Sequence, residues 1–295
     1  MNTKTRSMKY VYVAIIFVLG LIDVYGQDNP VYETFGDRRI INTHSIEMLP
    51  ARKLDFRIAH RFGDLAGDAG GWPTFYGLEN ASDVMIGFEY GIKDNLMVGI
   101  NRTKGAGPLR QLINMFVKTR LMTQGSSRNQ PISLAIIGMG TVSTMPKSET
   151  DGVLHFFESA AHRWSYHFGA LAARKFNDRF SAQVSGSWTY RNIVSAEDKN
   201  ELPAVGFAGR AQISKKIGII VDTVFPLSPL RNTDNDFYPA IGLGIEFNTT
   251  GGHVFQMNFT NVRGLSETDY IPYSQSNIGD GEFRLGFTIS RLFSL

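Results

Sequence analysis

Phe283-Arg284-Leu285-Gly286-Phe287-Thr288-Ile289-Ser290-Arg291-Leu292-Phe293-Ser294-Leu295 is the stretch whose reading decides the fold. Phe283, Leu285, Phe287, Ile289, Phe293 and Leu295 share one parity, and Arg284, Gly286, Thr288, Ser290 and Ser294 share the other. Apolar residues at every second position make a strand with one greasy face. A strand at the end of a chain has nothing after it to cover its edge. The expectation is that it pairs with a strand from early in the sequence, and such a pairing closes a barrel.

The same period runs back to residue 52. Leu54, Phe56, Ile58 and Phe62 alternate with Lys53, Asp55, Arg57 and Arg61. Val84, Ile86, Phe88, Tyr90 and Ile92 alternate with Asp83, Met85, Gly87 and Glu89, and Lys93-Asp94-Asn95 then turns the chain into Leu96, Val98 and Ile100. That unit is a hairpin. The pattern repeats through Phe180, Ala182, Val184, Trp188 and Tyr190, and through Ile241, Leu243, Ile245 and Phe247. Short turns and longer loops take turns between the strands. No second layer is visible in the sequence to bury the apolar face, so lipid is its expected cover. The fold expected is all-β: a transmembrane antiparallel up-and-down barrel of about twelve strands, within a range of 10 to 14.

The segments before the barrel have other tasks. Lys4, Arg6 and Lys9 precede an apolar run over residues 10–22, which is short of the roughly 20 residues of a spanning helix. Residues 1–26 are expected to be a secretory signal peptide, addressing the chain to the outer membrane of a Gram-negative cell. Its removal takes Lys plus Arg from 30 to 27 and Asp plus Glu from 27 to 26, leaving a net charge of +1. No nucleic-acid partner is implied. With no Cys, an exported chain of this size has no disulfide scaffold. Residues 27–51 carry little strand signal and end at Pro50; they are expected to form a periplasmic lead-in or partial plug, with residues 52–295 as the barrel.

Parity also assigns a lining. Lys53, Asp55, Arg57, Arg61, Asp83, Glu89, Arg163, His167, Arg191, Arg210, Asp222, Glu246 and Arg284 are expected to face the lumen. Basic groups exceed acidic ones in that set, which hints at anionic solutes. Mutually paired charges that fill the bore are an equally open reading. Trp164, Trp188, Tyr190 and Phe237 are expected at one interface and Tyr90, Phe180 and Phe293 at the other.

Catalytic chemistry finds no footing. No serine, histidine and acid form a local signature, and His162 and His167, five apart, would point to opposite faces. Asp64 with Gly67-Asp68-Ala69-Gly70-Gly71 lacks the alternating acids of a Ca²⁺ loop, so neither metal nor cofactor is expected.

The run Arg39-Ile40-Ile41-Asn42-Thr43-His44-Ser45 through Leu54-Asp55-Phe56-Arg57-Ile58-Ala59-His60-Arg61-Phe62-Gly63 also resembles a family. Gly107-Pro108-Leu109-Arg110-Gln111, Ala173-Arg174-Lys175-Phe176, Tyr190-Arg191-Asn192 and Leu285-Gly286-Phe287-Thr288-Ile289-Ser290-Arg291 carry the same likeness. It is a family of exported proteins described as a membrane-bound β-barrel domain of unknown function. The resemblance implies an outer-membrane barrel, carries over no activity, and places residues 39–45 within the working structure. Two functions follow as expectations. One is a non-enzymatic, porin-like channel or carrier for small polar solutes, anionic ones among them, in contact with outer-membrane lipid. The other is a non-conducting accessory barrel that docks an envelope protein through outer loops, notably Trp72, Phe75 and Tyr76.

Overall fold

The computed structural model describes residues 29–125, 130–249 and 253–294. The expected leader, residues 1–26, lies outside them. Twelve antiparallel strands close on themselves: β1 (Lys53–Phe62), β2 (Ala81–Lys93), β3 (Leu96–Thr103), β4 (Leu112–Met122), β5 (Ser133–Ser143), β6 (Trp164–Lys175), β7 (Phe180–Arg191), β8 (Glu201–Gln212), β9 (Ile217–Pro226), β10 (Ala240–Asn248), β11 (His253–Thr260) and β12 (Arg284–Ser294). Each strand pairs with its neighbours in sequence, and β1 pairs with β12 from Lys53↔Ser294 to Arg61↔Gly286. This last seam leaves no free edge.

The barrel is inside out compared with a water-soluble protein. Phe88 is 48% exposed, Val117 50% and Met257 54%, all on the outer face, whereas Arg57 is 2% and Lys118 0% exposed on the inner one. Exposed apolar side chains in regular strand alternation are what a barrel presents to hydrocarbon. Outer-face aromatics line the wall in contact, Trp188 stacked with Tyr190, Trp164 stacked with Tyr166, and Phe62 tilted against Phe287. Arg102 and Arg291 also lie on this face, near strand ends; Arg291 lies over Phe293. There a long side chain reaches the polar layer.

Phe237, expected among the interface aromatics, sits in the loop before β10 with the Arg231 guanidinium over its ring. The loop between β11 and β12 contains a seven-residue helix α1 (Glu267–Tyr273). Ser266-Glu267-Thr268-Asp269 has the spacing of a helix start, and Pro272 lies inside the last turn. Nearly all of α1 is buried, because it folds down into the mouth of the barrel.

Charge placed on the lipid face should be costly at mid-wall and cheap at its rim. Val117→Arg is expected to destabilise folding into lipid vesicles by about 2–4 kcal/mol, and Leu121→Arg near the strand end by about 0–1 kcal/mol. Urea titration of vesicle-inserted protein, followed by tryptophan fluorescence, measures both.

Candidate functional site

Residues 34–49 run inside the barrel. The chain enters at the end with the short turns, where the Val31 N–H donates to the Gln124 carbonyl at 2.8 Å. It climbs to a tight reversal, with Arg39 bridged to His44 and the Ile40 N–H donating to the Thr43 carbonyl at 2.9 Å, then descends. At its exit the carbonyls of Leu49 and Pro50 lie against Gly91, where any Cβ would collide with them. Glu47 ties the two limbs together by accepting from the Thr34 and Phe35 N–H groups at 2.9 and 3.1 Å.

The wall holds this hairpin through charge. Asp222 of β9 accepts from three consecutive amides at the tip, Ile41, Asn42 and Thr43, at 3.2, 2.6 and 3.0 Å, and from the Asn42 side chain at 2.8 Å. Arg61 of β1 donates to the other end of that side chain, Asn42 Oδ1, at 2.6 Å. Arg57 grips Asp37 with both terminal nitrogens, at 2.7 and 2.6 Å. Arg38 reaches out from the hairpin to Asp55 at 2.5 Å and Glu89 at 2.7 Å. Arg–carboxylate forks of this kind are among the stronger polar contacts in proteins.

The opposite side of the hairpin is greasy. Phe35, Ile40, Ile41 and Ile46 pack on Ala135, Leu171, Ala173 and Ile220, and Leu49 packs with Met97, Phe116, Ile137 and Met139. Even here the wall supplies donors to the hairpin backbone. Lys118 reaches the Ser45 carbonyl, Arg120 the Ile46 carbonyl and Gln183 the His44 carbonyl, at 3.2, 3.0 and 2.8 Å.

From the long-loop end, α1 comes down to meet the tip. Arg39 donates to Glu267 at 3.0 Å, and Asp83 accepts from the Leu265 N–H at 2.8 Å. Asp269 accepts from the Ala106 and Gly107 amides at 2.9 and 2.8 Å. Hairpin and lid together fill the bore. Between them lies a cavity of about 30 Å³ whose lining includes His44, His167, Glu267 and Tyr270, room for about two water molecules.

Of the lining residues expected from parity, Asp55, Arg57, Arg61, Asp83, Glu89, His167, Arg210, Asp222 and Glu246 are buried on the inner face. Arg210 and Glu246 pair with each other. Arg191 and Arg284 stand at the long-loop rim; Arg284 donates to the Asn261 carbonyl and Ser276 hydroxyl at 2.9 and 3.0 Å. Lys53 sits at the short-turn end with its Nζ donating to Ser294 at 2.6 Å. Arg163 is outside the strands, donating to the Ser143 and Met145 carbonyls at 3.1 and 2.6 Å with its guanidinium over Phe157. Lys118, Arg120, Gln183 and Gln256 belong to the inner set as well. Their strand parity could have found them, but β4 mixes inner Phe116 with outer Thr119 and so blurs the alternation. Among the described residues no group of three His, Cys, Asp or Glu side chains could hold a metal ion.

Two predictions follow from these contacts. Arg57→Ala strands a buried Asp37 carboxylate and is expected to cost about 3–5 kcal/mol, read as a lower temperature for loss of the compact, heat-modifiable gel band. The lid should respond to pH. Burial, and then the nearby Asp83 charge, push the Asp269 carboxyl from 3.8 up to about 7, so closing the lid takes up a proton. Its contacts are firmest below about pH 4 and weaken as pH rises through about 7. The protection factors for hydrogen exchange over residues 261–276, which remove the intrinsic pH dependence of amide exchange, are expected to fall over that window in the native protein and to stay flat in Asp269→Asn.

Comparison with known proteins gives the family. A family described as a membrane bound beta barrel domain matches residues 35–293, which covers all but the ends of the described region. No curated protein matches the chain. Among solved structures it is similar to an outer membrane channel from Pseudomonas putida F1, at 12% identity over 86% of this chain and 100% of that one, with a TM-score of 0.47. It is similar also to the KdgM porin, at 6% identity over 82% and 99% with a TM-score of 0.46. The outer membrane protein Omp33 of Acinetobacter baumannii matches at 8% identity over 82% and 98%, with a TM-score of 0.41. On the strength of the family match, which spans the hairpin and all twelve strands, this chain is a member of the membrane bound beta barrel domain family.

Proposed function

We propose that the protein is an outer-membrane channel or carrier for small polar solutes, held shut in this conformation by its own N-terminal hairpin. In this reading residues 1–26 are a cleaved export signal and residues 27–51 the plug. The observation that carries it is the chemistry of the contact between plug and wall. On the side of β1, β2 and β9 that contact is made of ion pairs and hydrogen bonds through Asp55, Arg57, Arg61, Glu89 and Asp222. Water can take over each of these partners when the hairpin leaves, and the bared wall is wettable. A purely structural filling has little need of buried charge, since buried ion pairs are often no better for stability than well-packed apolar groups.

The solute preference follows from the same wall. Its buried cations, Arg57, Arg61, Lys118, Arg120, Arg191, Arg210 and Arg284, outnumber its buried acids, Asp55, Asp83, Glu89, Asp222 and Glu246. A bore vacated by the hairpin would therefore favour anions.

The second reading, a non-conducting barrel that serves a partner in the envelope, draws on two observations. Phe35, Ile40, Ile41 and Ile46 would expose apolar surface on leaving, and Trp72, Phe75 and Tyr76 stand out from the loop after β1 at 72, 50 and 48% exposure. Planar-bilayer recording separates the two. Full-length protein is expected to be closed or to flicker, and a folded variant lacking residues 29–50 to pass steady current with anion selectivity. A folded deletion variant that passes no current overturns the channel reading and leaves the accessory one.

A further inference from the structure

The long-loop mouth holds a cluster that neither plugs the bore nor faces lipid. Arg191, the last residue of β7, and Arg231, from the loop between β9 and β10, converge on one carboxylate, that of Asp198. Arg231 presents a planar fork, one terminal nitrogen to each Asp198 oxygen, and Arg191 donates to Asp198 Oδ2 at 2.8 Å. Both guanidiniums are backed by aromatic rings: Arg191 lies over Tyr273 at 5.6 Å and Arg231 over Phe237 at 5.0 Å. Arg191 is 2% and Arg231 8% exposed, so the two cations are fixed and largely desolvated.

Three features set this cluster apart from an ordinary surface ion pair. Two cations meet one anion, which leaves the group with a net positive charge. The Arg191 Nε is buried with no hydrogen-bond partner. The anion also comes from a separate loop, that between β7 and β8. Asp198 and Arg231 both ride on loops with exposed neighbours, Ser195 to Glu197 on one and Asn232 to Asp236 on the other, and Arg231 is braced by donating to the Pro272 carbonyl at 3.3 Å. Each guanidinium keeps contacts that do not depend on the Asp198 carboxylate: Arg231 with the Pro272 carbonyl and the Phe237 ring, and Arg191 with the Lys199 carbonyl at 2.6 Å and the Tyr273 ring. Fork geometry matched to a planar two-oxygen group, stacked on aromatic rings, is the usual construction for recognising carboxylates.

We propose that Arg191 and Arg231 form a carboxylate-binding site at the long-loop mouth, with Asp198 as its built-in occupant, and that carboxylate-bearing solutes compete with Asp198 for it. The site rests on the channel reading only for where the solute goes next. Asp198 is a strong occupant. Burial alone would raise its carboxyl, but hydrogen bonds from Arg231 and Arg191 and their charges outweigh this and hold it at about 2. It therefore stays ionised across the physiological range, and release depends on competition by another anion, not on protonation.

Calorimetry on detergent-solubilised protein tests this without any conductance step, so failure here and silence in bilayers are separate results. Succinate is the probe, succinamide its neutral counterpart, and inorganic phosphate the rival anion. Asp198→Ala is expected to bind succinate at least about tenfold more tightly than the native chain, and Asp198→Ala with Arg231→Gln to lose that gain. The heat-modifiable gel band reports that each variant is folded. In the native chain, succinate but not succinamide is expected to speed hydrogen exchange over residues 192–200, a readout that needs no variant. The proposal is overturned if folded Asp198→Ala takes up no more succinate than succinamide, if the gain survives Arg231→Gln, if phosphate binds as well as succinate, or if exchange over 192–200 is indifferent to succinate.

Discussion

Asp222 accepts three consecutive backbone N–H groups from the tip of a hairpin that entered the barrel from the other end. That contact expresses the constraint on which the whole interior rests. A closed strand wall with lipid outside must turn its polar side chains inward, and polar groups inside a closed space must find partners. Water supplies them in an open pore. Here the protein does so itself, with residues 34–49 from one end and the loop carrying α1 from the other. Asp37 answers Arg57, Arg38 answers Asp55 and Glu89, and the tip amides answer Asp222.

The hairpin is two-faced, and so is the wall around it. On the β1, β2 and β9 side the contacts are ionic; on the β4 to β6 side Phe35, Ile40, Ile46 and Leu49 lie on Phe116, Ile137, Met139 and Leu171. The apolar half gives the filling a fixed seat and the ionic half gives it an orientation, since a buried charge left without its partner is costly. Glycines shape the seat: Gly242 stands beside Ile41 and Asn42 at the tip, and Gly91 beside Pro50 at the exit. Side chains there would push the hairpin out of register.

This division also explains what the sequence could and could not tell. The outward face was legible because lipid asks the same thing of every strand: Leu54, Phe56 and Ile58 or Ile241, Leu243 and Ile245 alternate cleanly. The closing seam between β1 and β12 was legible for the same reason. The inward face was only partly so, because its partner is a folded segment with character of its own and not uniform water. Phe116 on the inner face of β4 belongs against His44 and Leu49, and its presence there masks the parity of Lys118 and Arg120. Helix α1 is too short for a periodic signal, and Ser266 with Asp269 was its only mark. The rim cluster of Arg191, Asp198 and Arg231 joins residues from separate loops, a proximity that no local pattern encodes.

Interior and proposed function alike depend on the hairpin occupying the bore in the membrane-embedded protein. Its direct measure is amide hydrogen exchange over residues 34–47 in protein reconstituted into vesicles, compared with the barrel strands. Backbone N–H groups at 34, 35, 38, 40, 41, 42, 43, 45 and 47 all have acceptors inside the barrel. The account predicts exchange over this segment nearly as slow as in β1 and β9. Exchange at the rate of an unstructured peptide would contradict it.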